Sequence, residues 1–288
     1  AYTIMRKFAA EKGDDVYGKQ LKREQEDLGR LINGLCWNED RFIRGYIESG
    51  ESIGDRDAPE ASLWLNPQSW AVISGLANEQ QAESAMNLVF ENLNSDYGAV
   101  LMYPPYHAHA FDGALAVIYN QGVKENAGIF SQSQGWLVLA EALRGQGEKA
   151  FQYYMENNPA AQNAQAGLRG IEPYCYGQFT EGPASPNFGR SHVHWLTGTA
   201  STMMVGCVEG ILGLRPDIHG IHIAPAIPKG WEKLEIHKKF RDKTLFITVN
   251  NPDGKESGWN RLTVNGNPVE GDYIAEELLT EQTEIVIS

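Results

Sequence analysis

The sequence predicts a mainly α-helical protein with a smaller β-rich part at its C-terminal end. Through the first three quarters of the chain, pairs of apolar-striped helical segments are joined by short turns and separated by long, aromatic-rich loops. After Gly213-Leu214-Arg215-Pro216 the composition changes to short β-type runs. We therefore expect a helical toroid over residues 1–215, with its long loops gathered at one mouth, and a small β-sandwich over residues 216–288.

The helices are predicted from apolar residues at helical spacing. Residues 1–8 already show this spacing, and residues 18–35 place four leucines and Ile32 on one face among charges. Asn66-Pro67 begins another helix, because proline is favoured in the first turn. The same pattern predicts helices over residues 78–93, 128–145, 147–157 and 192–213.

The strands are predicted from alternation and turn signals. Residues 41–48 alternate in a way that suits a short strand or hairpin arm. In the C-terminal part, Pro252-Asp253-Gly254 and Asn265-Gly266 are turn signals between β-type runs. The runs are residues 222–225, 234–237, 244–249, 262–264 and 284–287.

The charge of the chain limits the classes of molecule that it can bind, and its cysteine content indicates the compartment in which it functions. The chain has 24 Lys and Arg against 37 Asp and Glu, a formal net charge of -13, which disfavours nucleic acid and anionic membrane surfaces. No apolar run reaches the length of a membrane span. Cys36, Cys175 and Cys207 are odd in number and widely spaced. We therefore expect free thiols in a reducing compartment, the cytoplasm.

Two segments join polar side chains and glycine directly to an apolar helical run. They are Lys124-Glu125-Asn126-Ala127-Gly128-Ile129-Phe130 and Trp195-Leu196-Thr197-Gly198-Thr199-Ala200. This arrangement brings hydrogen-bond donors to a bound anion or sugar without burying unpaired polar groups. Together the segments predict a carbohydrate and phosphate site.

These segments also carry a family resemblance, together with Gln134-Gly135-Trp136, Ile171-Glu172-Pro173-Tyr174 and Ile211-Leu212-Gly213-Leu214-Arg215-Pro216-Asp217. In order and spacing they resemble the C-terminal part of the glycoside hydrolase family 94 phosphorylases, such as the cellobiose, cellodextrin, laminaribiose and chitobiose phosphorylases. The resemblance implies an (α/α)6 barrel, incomplete in this chain, followed by a β-sandwich. It also implies reversible, inverting phosphorolysis of a β-linked glucosyl disaccharide or oligosaccharide to an α-sugar 1-phosphate.

Phosphorolysis explains the residue types. An inverting hydrolase needs a carboxylic acid and a carboxylate that activates water. Inorganic phosphate, as a co-substrate, is already a nucleophile, so the site needs donors that hold a dianion in line with the anomeric carbon. By the family motif, Thr197 and Gly198 contact this phosphate. No cofactor is expected.

The chain departs from the family pattern at two positions. The family places a phosphate-binding histidine eight residues after the motif lysine, and here Gln132 stands there. A glutamine amide can donate to phosphate but does not titrate, so binding should depend less on pH. Tyr119 and Lys124 fall where the family lines the acceptor-sugar subsite, but Leu115 replaces the acidic residue four positions before Tyr119. The glutamine at position 132 favours a relative that acts on longer cellodextrins, whereas Leu115 leaves the identity of the acceptor sugar open.

The resemblance implies no catalytic residue within this chain. The family's proton-donating aspartate and its donor-sugar residues lie upstream of the matched segments. We therefore expect a missing N-terminal part of the same enzyme as a partner, with this chain alone inactive. Family members commonly form homodimers, so a homodimer is a further expectation.

Structural explanations compete with each site assignment. Thr197-Gly198 suits a helix start, with threonine as a cap and glycine allowing close packing. Lys124-Glu125 suits a solvated charge pair, and Gln132 suits a surface glutamine. Alternative functions are a hydrolase on the same barrel, which needs two opposed carboxylates, and a non-catalytic fragment.

Two histidine pairs and several acidic residues invite other chemistry. His107 with His109, and His192 with His194, have the alternate spacing of strand ligands, but neither pair has an obvious third ligand, so no metal site is expected. The acidic residues of one loop suggest paired catalytic carboxylates for hydrolysis, but we interpret them as surface residues of a loop that connects two helices. These residues are Glu39, Asp40, Asp55 and Asp57.

Overall fold

The computed structural model describes residues 1–107 and 118–288, so His109 and Leu115 lie outside the described residues. Within these ranges eight α-helices, α1 to α8, occur. In order they are Tyr2–Glu11, Asp15–Cys36, Leu65–Ile73, Glu79–Asn92, Ser131–Leu143, Gly147–Asn157, Ala166–Arg169 and Thr199–Val205.

Strands β1 to β17 in the same ranges are mostly short. In order they are Trp37–Asn38, Arg41–Phe42, Gly45–Tyr46, Ser52–Ile53, Leu63–Trp64, Met102–Tyr103, Ile129–Phe130, Gly177–Thr180, Ser191–His194, Leu214–Asp217, Gly220–Ile223, Lys233–Phe240, Lys243–Asn250, Leu262–Val264, Asn267–Val269, Tyr273–Ala275 and Gln282–Ile287. Before Leu214 they form two-stranded pairs and one three-stranded sheet.

Helices α1 and α2 form an antiparallel hairpin. The Asp14 carboxylate caps α2 by accepting the Tyr17 N–H at 3.0 Å. The predicted helix over residues 18–35 is confirmed, but much of its apolar face is open to solvent: Leu31 is 56% exposed and Val16, at its start, 81%. No helix in the described part of the chain is long and apolar enough to span a bilayer.

The pairs α3 with α4 and α5 with α6 confirm the prediction of helices joined by short turns. Asn78 and Gln81 form a reciprocal capping box that begins α4. Helix α5 lies at the centre, packed against α3, α6 and α8, and Leu137 and Val138 are fully buried there. An apolar helix of this kind needs neighbours on several sides.

The prediction of one helix over residues 192–213 is wrong at its start. Residues Ser191–His194 form β9, and Val193 and Trp195 adopt left-handed backbone angles, with φ of 54° and 66°. Left-handed residues cannot continue an α-helix, so α8 begins only at Thr199. It then passes into a π-helical segment, Gly206–Ile211.

The C-terminal part contains two sheets with the orders β10-β11-β16 and β12-β13-β17-β14-β15. Strands β13 and β17 are parallel, and the other pairs are antiparallel. Buried isoleucines of both sheets share one core with the central helices, for example Ile221 and Ile285 with Leu137. The boundary between residues 215 and 216 stays a prediction, and β10 crosses it.

The described chain is therefore a mixed helix and sheet structure rather than a mainly α one, with 37% helix and 23% strand. Part of the strand that the sequence did not predict comes from short pairs in the long connections, such as β5 with β6. These pairs are too short to produce a clear alternating pattern in the sequence. The closure of a complete (α/α)6 barrel stays a prediction.

Candidate functional site

A three-stranded sheet brings the two predicted segments together. Its order is β7-β8-β9, and both pairs are antiparallel. Strands β7 and β9 therefore run in the same direction and end at the same edge of the sheet. Helix α5 begins directly after β7, and α8 begins five residues after β9. The starts of both helices consequently lie close to one another.

Gln132, Thr197 and Gly198 meet at this edge and are called the Gln132 cluster below. A methyl group placed on Gly198 would lie 3.7 Å from the amide carbon and nitrogen of Gln132. The Thr202 hydroxyl lies 3.0 Å from the carbonyl oxygens of both Gln132 and Thr199 and can donate to either, so α8 contacts the first turn of α5 at this point. The three residues assigned to phosphate by resemblance are thus neighbours, although Thr197 comes 65 positions after Gln132 in the chain.

Gly135 makes the close approach of helices α5 and α8 possible. A methyl group at Gly135 would lie 2.3 Å from the backbone carbon of Thr202, where carbon atoms need more than 3 Å. Only the missing side chain of Gly135 lets α5 and α8 cross at this distance. The Gln134 amide of the same motif has a structural role: it bonds both backbone groups of Ala99 at 2.9 Å.

The hydroxyl of Thr197 makes local contacts, and in one of its two hydrogen-bond arrangements it keeps a donor for a ligand. Its Oγ1 accepts the Thr199 N–H at 3.1 Å and lies 2.6 Å from the Thr199 hydroxyl. When Thr199 donates in that second contact, the Thr197 O–H proton points to another acceptor. The expectation that threonine caps α8 is wrong, because Gly198 occupies the cap position without a side-chain capping bond. The bond from Thr199 N–H to Thr197 is instead a local contact just before the helix, and it is compatible with anion binding.

Tyr119, Lys124 and Phe179 form a second group, called the Lys124 cluster below. The Lys124 Nζ lies 5.4 Å from the ring centre of Tyr119 and 5.8 Å from that of Phe179. Both distances are typical of cation–π contacts. The solvated-pair explanation of Lys124 is thus not what the geometry shows. Tyr119 and Lys124 were predicted from the sequence, whereas Phe179 was not.

The loop that carries Lys124 is held by backbone packing. Lys124 has a left-handed backbone, with φ of 48°, and its carbonyl accepts the Gly128 N–H at 2.9 Å. Any side chain at Gly128 would lie 2.5 Å from the Lys124 backbone. Buried Asn126 donates to the carbonyls of Tyr106 and Tyr119 at 3.0 Å and 2.9 Å. This explains structurally why asparagine and glycine follow the lysine.

A buried ionic group that the sequence did not predict lies beside the Lys124 cluster. Glu181 lies just after β8, is 5% exposed, and accepts from His192 Nε2 at 2.7 Å and from the Ser185 hydroxyl. Burial raises the pKa of the Glu181 carboxyl, but the bonds from Ser185 and His192 outweigh it, so this pKa lies below its usual range. His192, considered above as a metal ligand, is instead the partner of this carboxylate.

The motif Ile171-Glu172-Pro173-Tyr174 lies beside the segment leading to Thr197. The Trp195 indole N–H donates to Glu172 at 3.2 Å, and the Trp195 and Tyr174 rings meet edge to face at 6.3 Å. A backbone hydrogen bond and this indole bond lower the pKa of the Glu172 carboxyl. The contacts fix the segment before Thr197.

The acidic residues of the loop after α2 take part in local pairs, in agreement with their interpretation as a connection. Asp40 binds Arg41 at 2.7 Å, and this bond lowers the pKa of the Asp40 carboxyl. Asp55 accepts from Asn38 and Ser52 at 3.3 Å and 3.2 Å. Of the histidine pair His107 and His109, only His107 lies among the described residues, and its Nδ1 lies 3.0 Å from the Glu60 carboxylate.

The amino-acid sequence of the chain is similar to that of known proteins. The model described as the Glycosyl hydrolase 94 superfamily, catalytic domain, matches residues 1–213. N,N'-diacetylchitobiose phosphorylase of Vibrio proteolyticus is 36% identical over 80% of this chain and 29% of its own length. The solabiose phosphorylase and the 3-O-beta-D-glucopyranosyl-beta-D-glucuronide phosphorylase of Paenibacillus borealis are 29% and 28% identical, each over 90% of this chain and 34% of its own length. The chain therefore spans about a third of the length of these relatives.

Proposed function

The chain belongs to the Glycosyl hydrolase 94 superfamily, and from this premise we propose that it forms part of an inverting β-glucoside phosphorylase. The enzyme would reversibly cleave a β-linked, cellodextrin-like glucosyl disaccharide or oligosaccharide with inorganic phosphate and release α-D-glucose 1-phosphate. The observation that carries the proposal is the meeting of Gln132 with Thr197 and Gly198 at one edge of a sheet. All three relatives compared above have names that describe phosphorylases.

In this proposal the Gln132 cluster binds phosphate. The amide of Gln132 and the hydroxyl of Thr197 are directed donors, and Gly198 leaves room for an anion to approach the backbone. Phosphate held here attacks the anomeric carbon from the face opposite the leaving sugar, which inverts the configuration. Fixed donors stabilise the transition state because they do not have to reorganise during the reaction.

The Lys124 cluster supplies the acceptor subsite in this proposal. The ring of Tyr119 offers an apolar face to a pyranose ring, and the Lys124 ammonium donates to its hydroxyls. Phe179 of this cluster lies on β8, and β8 pairs with β7, the strand that leads to Gln132. The two proposed subsites are therefore connected through one sheet.

The general acid, an aspartate, is proposed to come from another part of the enzyme. The 288-residue chain alone is then inactive, because the oxygen of the leaving sugar needs a proton from the missing aspartate. The open apolar face of the α1–α2 hairpin, with Ile4 60% and Val16 81% exposed, supports a neighbouring part that covers it. The free thiols Cys36, Cys175 and Cys207 support a reducing, cytoplasmic location.

The test is a phosphorolysis assay of the complete enzyme with cellobiose or cellodextrins. With inorganic phosphate we expect α-D-glucose 1-phosphate, with the anomer identified by proton NMR at the first time points. Release of free glucose at a rate independent of phosphate would contradict the proposal and favour the hydrolase. The isolated chain serves as a second sample, for which we expect no turnover.

A further inference from the structure

Glu181 is a buried carboxylate that neither cluster uses directly. It is 5% exposed, and acidic residues are rarely so buried unless they are paired. Its two oxygens accept from His192 Nε2 and the Ser185 hydroxyl. Because an ionised carboxylate only accepts hydrogen bonds, His192 carries a hydrogen on Nε2. Glu181, Ser185 and His192 are called the Glu181 cluster below.

One path leads from this cluster to Lys124 through side chains. The His192 ring stacks on Phe179 with the ring centres 4.8 Å apart and the planes within 10°. Phe179 is 4% exposed, and the Lys124 Nζ lies 5.8 Å from its ring centre. Glu181 therefore fixes the ring on which Phe179 stacks, and Phe179 in turn lies beside the ammonium group.

A second path leads to Lys124 through the backbone. The Gly182 N–H donates to the Gly122 carbonyl at 2.7 Å. A methyl group at Gly122 would lie 2.4 Å from the Ser185 nitrogen, and one at Gly182 would lie 2.3 Å from the Ala127 carbonyl oxygen. The turn of the Glu181 cluster thus packs directly on the loop that carries Lys124, with no side chain between them.

Resting on the proposed function, we propose that Glu181 is a positioning residue for the acceptor sugar. It holds His192 against Phe179 and the Ser185 turn against the Gly122 loop, and so fixes the Lys124 ammonium where an acceptor hydroxyl binds. A lysine side chain has a flexible four-carbon stem, and a hydrogen bond from it is weakened when the stem is not restrained. The affinity for the acceptor sugar therefore depends on Glu181, although Glu181 does not touch the sugar.

The first experiment is a double-mutant cycle in the complete enzyme, run in the synthetic direction with α-D-glucose 1-phosphate and glucose as acceptor. Glu181→Gln should raise the KM for glucose about tenfold, the effect of weakening one hydrogen bond to a charged group. The KM for α-D-glucose 1-phosphate should stay within about twofold. In the Lys124→Met background, Glu181→Gln should have no further effect on the KM for glucose. Glu156→Gln, which removes another part-buried carboxylate, is the matched control.

The outcomes separate this proposal from the proposed function. A wild-type enzyme without phosphorolysis contradicts the function itself. Two results would overturn the positioning role while the function stands. One is that Glu181→Gln changes the KM for glucose and the KM for α-D-glucose 1-phosphate by the same factor. The other is that Glu181→Gln raises the KM for glucose as much in the Lys124→Met background as in the wild type. A KM for glucose that Lys124→Met leaves unchanged would overturn it as well.

A second readout needs no activity. In the 288-residue chain, NMR of the Lys124 ε-methylene should show an upfield shift from the Tyr119 and Phe179 rings. Glu181→Gln, and more mildly Ser185→Ala, should move that signal towards the value of a free lysine. An unchanged signal in a folded Glu181→Gln chain would show that Glu181 does not position Lys124.

Discussion

Replacing Gly135 by alanine tests the helix crossing that assembles the Gln132 cluster. The added methyl group would lie 2.3 Å, 2.4 Å and 2.7 Å from the backbone carbon and oxygen of Thr202 and the nitrogen of Met203. These are backbone atoms, so no side-chain rotation relieves the contact. Helices α5 and α8 must move apart by about 1 Å to reach ordinary contact distances.

The magnitude follows from two opposing effects. Overpacking a close contact costs about 3 kcal/mol at the upper end of its usual range. Replacing glycine by alanine inside a helix stabilises the folded state by about 1 kcal/mol, because alanine has the higher helix propensity. The net loss of about 2 kcal/mol lowers Tm by about 4–8 °C in a chain of this size. The shift of α8 also carries Thr197 and Gly198 away from Gln132.

Thermal unfolding of the chain, followed by circular dichroism, measures the first effect. Gly34→Ala is the matched control, because Gly34 lies in α2 with nothing within 4 Å of its added methyl group. We expect this control to raise Tm by about 2–4 °C, the opposite sign. In the complete enzyme, Gly135→Ala should also raise the KM for phosphate. A Gly135→Ala chain at least as stable as wild type would refute the close crossing.

Three further predictions concern buried polar groups. Arg144→Met removes the hydrogen-bond partner of the fully buried Glu141 carboxylate, which lies 2.6 Å away. In thermal unfolding at neutral pH it should lower the free energy of unfolding by about 3 kcal/mol. Because burial raises the pKa of Glu141, this loss of stability should become smaller as the pH falls and the carboxyl becomes protonated. The lowered pKa of Glu181 means that its stabilisation is present above its ordinary pKa and lost as the pH falls through the lowered value, so Glu181→Gln should destabilise the chain less at pH 3 than at pH 7 in urea unfolding. Gln134→Leu should cost about 2–4 kcal/mol in the same assay, because both backbone groups of fully buried Ala99 lose their partner, and a smaller loss would contradict that pairing.

Local patterns predicted most of the long helices. The apolar spacing of α2 and the proline near the start of α3 placed both within a few residues, and α6 matches its predicted range of 147–157. These signals depend on neighbours three or four residues apart. The segment before α8 was mispredicted because Trp195 and Leu196 look like helix core in the sequence, yet they are 64% and 74% exposed.

The site was only partly predictable, for a physical reason. Gln132, Thr197 and Gly198 were assigned by resemblance to the family motif; the fold places them near one another, and their phosphate role stays a prediction. The neighbours Phe179, Glu181 and His192 depend on the register of the β8–β9 hairpin, in which Phe179 pairs with His192. Such a register is set by packing across the whole sheet, and the two histidines alone suggested a metal site instead.

The most direct test of the phosphate site is the KM for inorganic phosphate of the complete enzyme carrying Thr197→Val, measured during phosphorolysis beside the KM for the sugar. Ser201→Ala, at the third residue of α8, is the control, since its exposed hydroxyl bonds only the Gly198 carbonyl among the described residues. Loss of a hydrogen bond to a charged group predicts a rise in the phosphate KM of about ten- to a hundredfold. The sugar KM should change by less than about threefold. A phosphate KM equal to wild type in Thr197→Val would contradict the assignment of this cluster to phosphate.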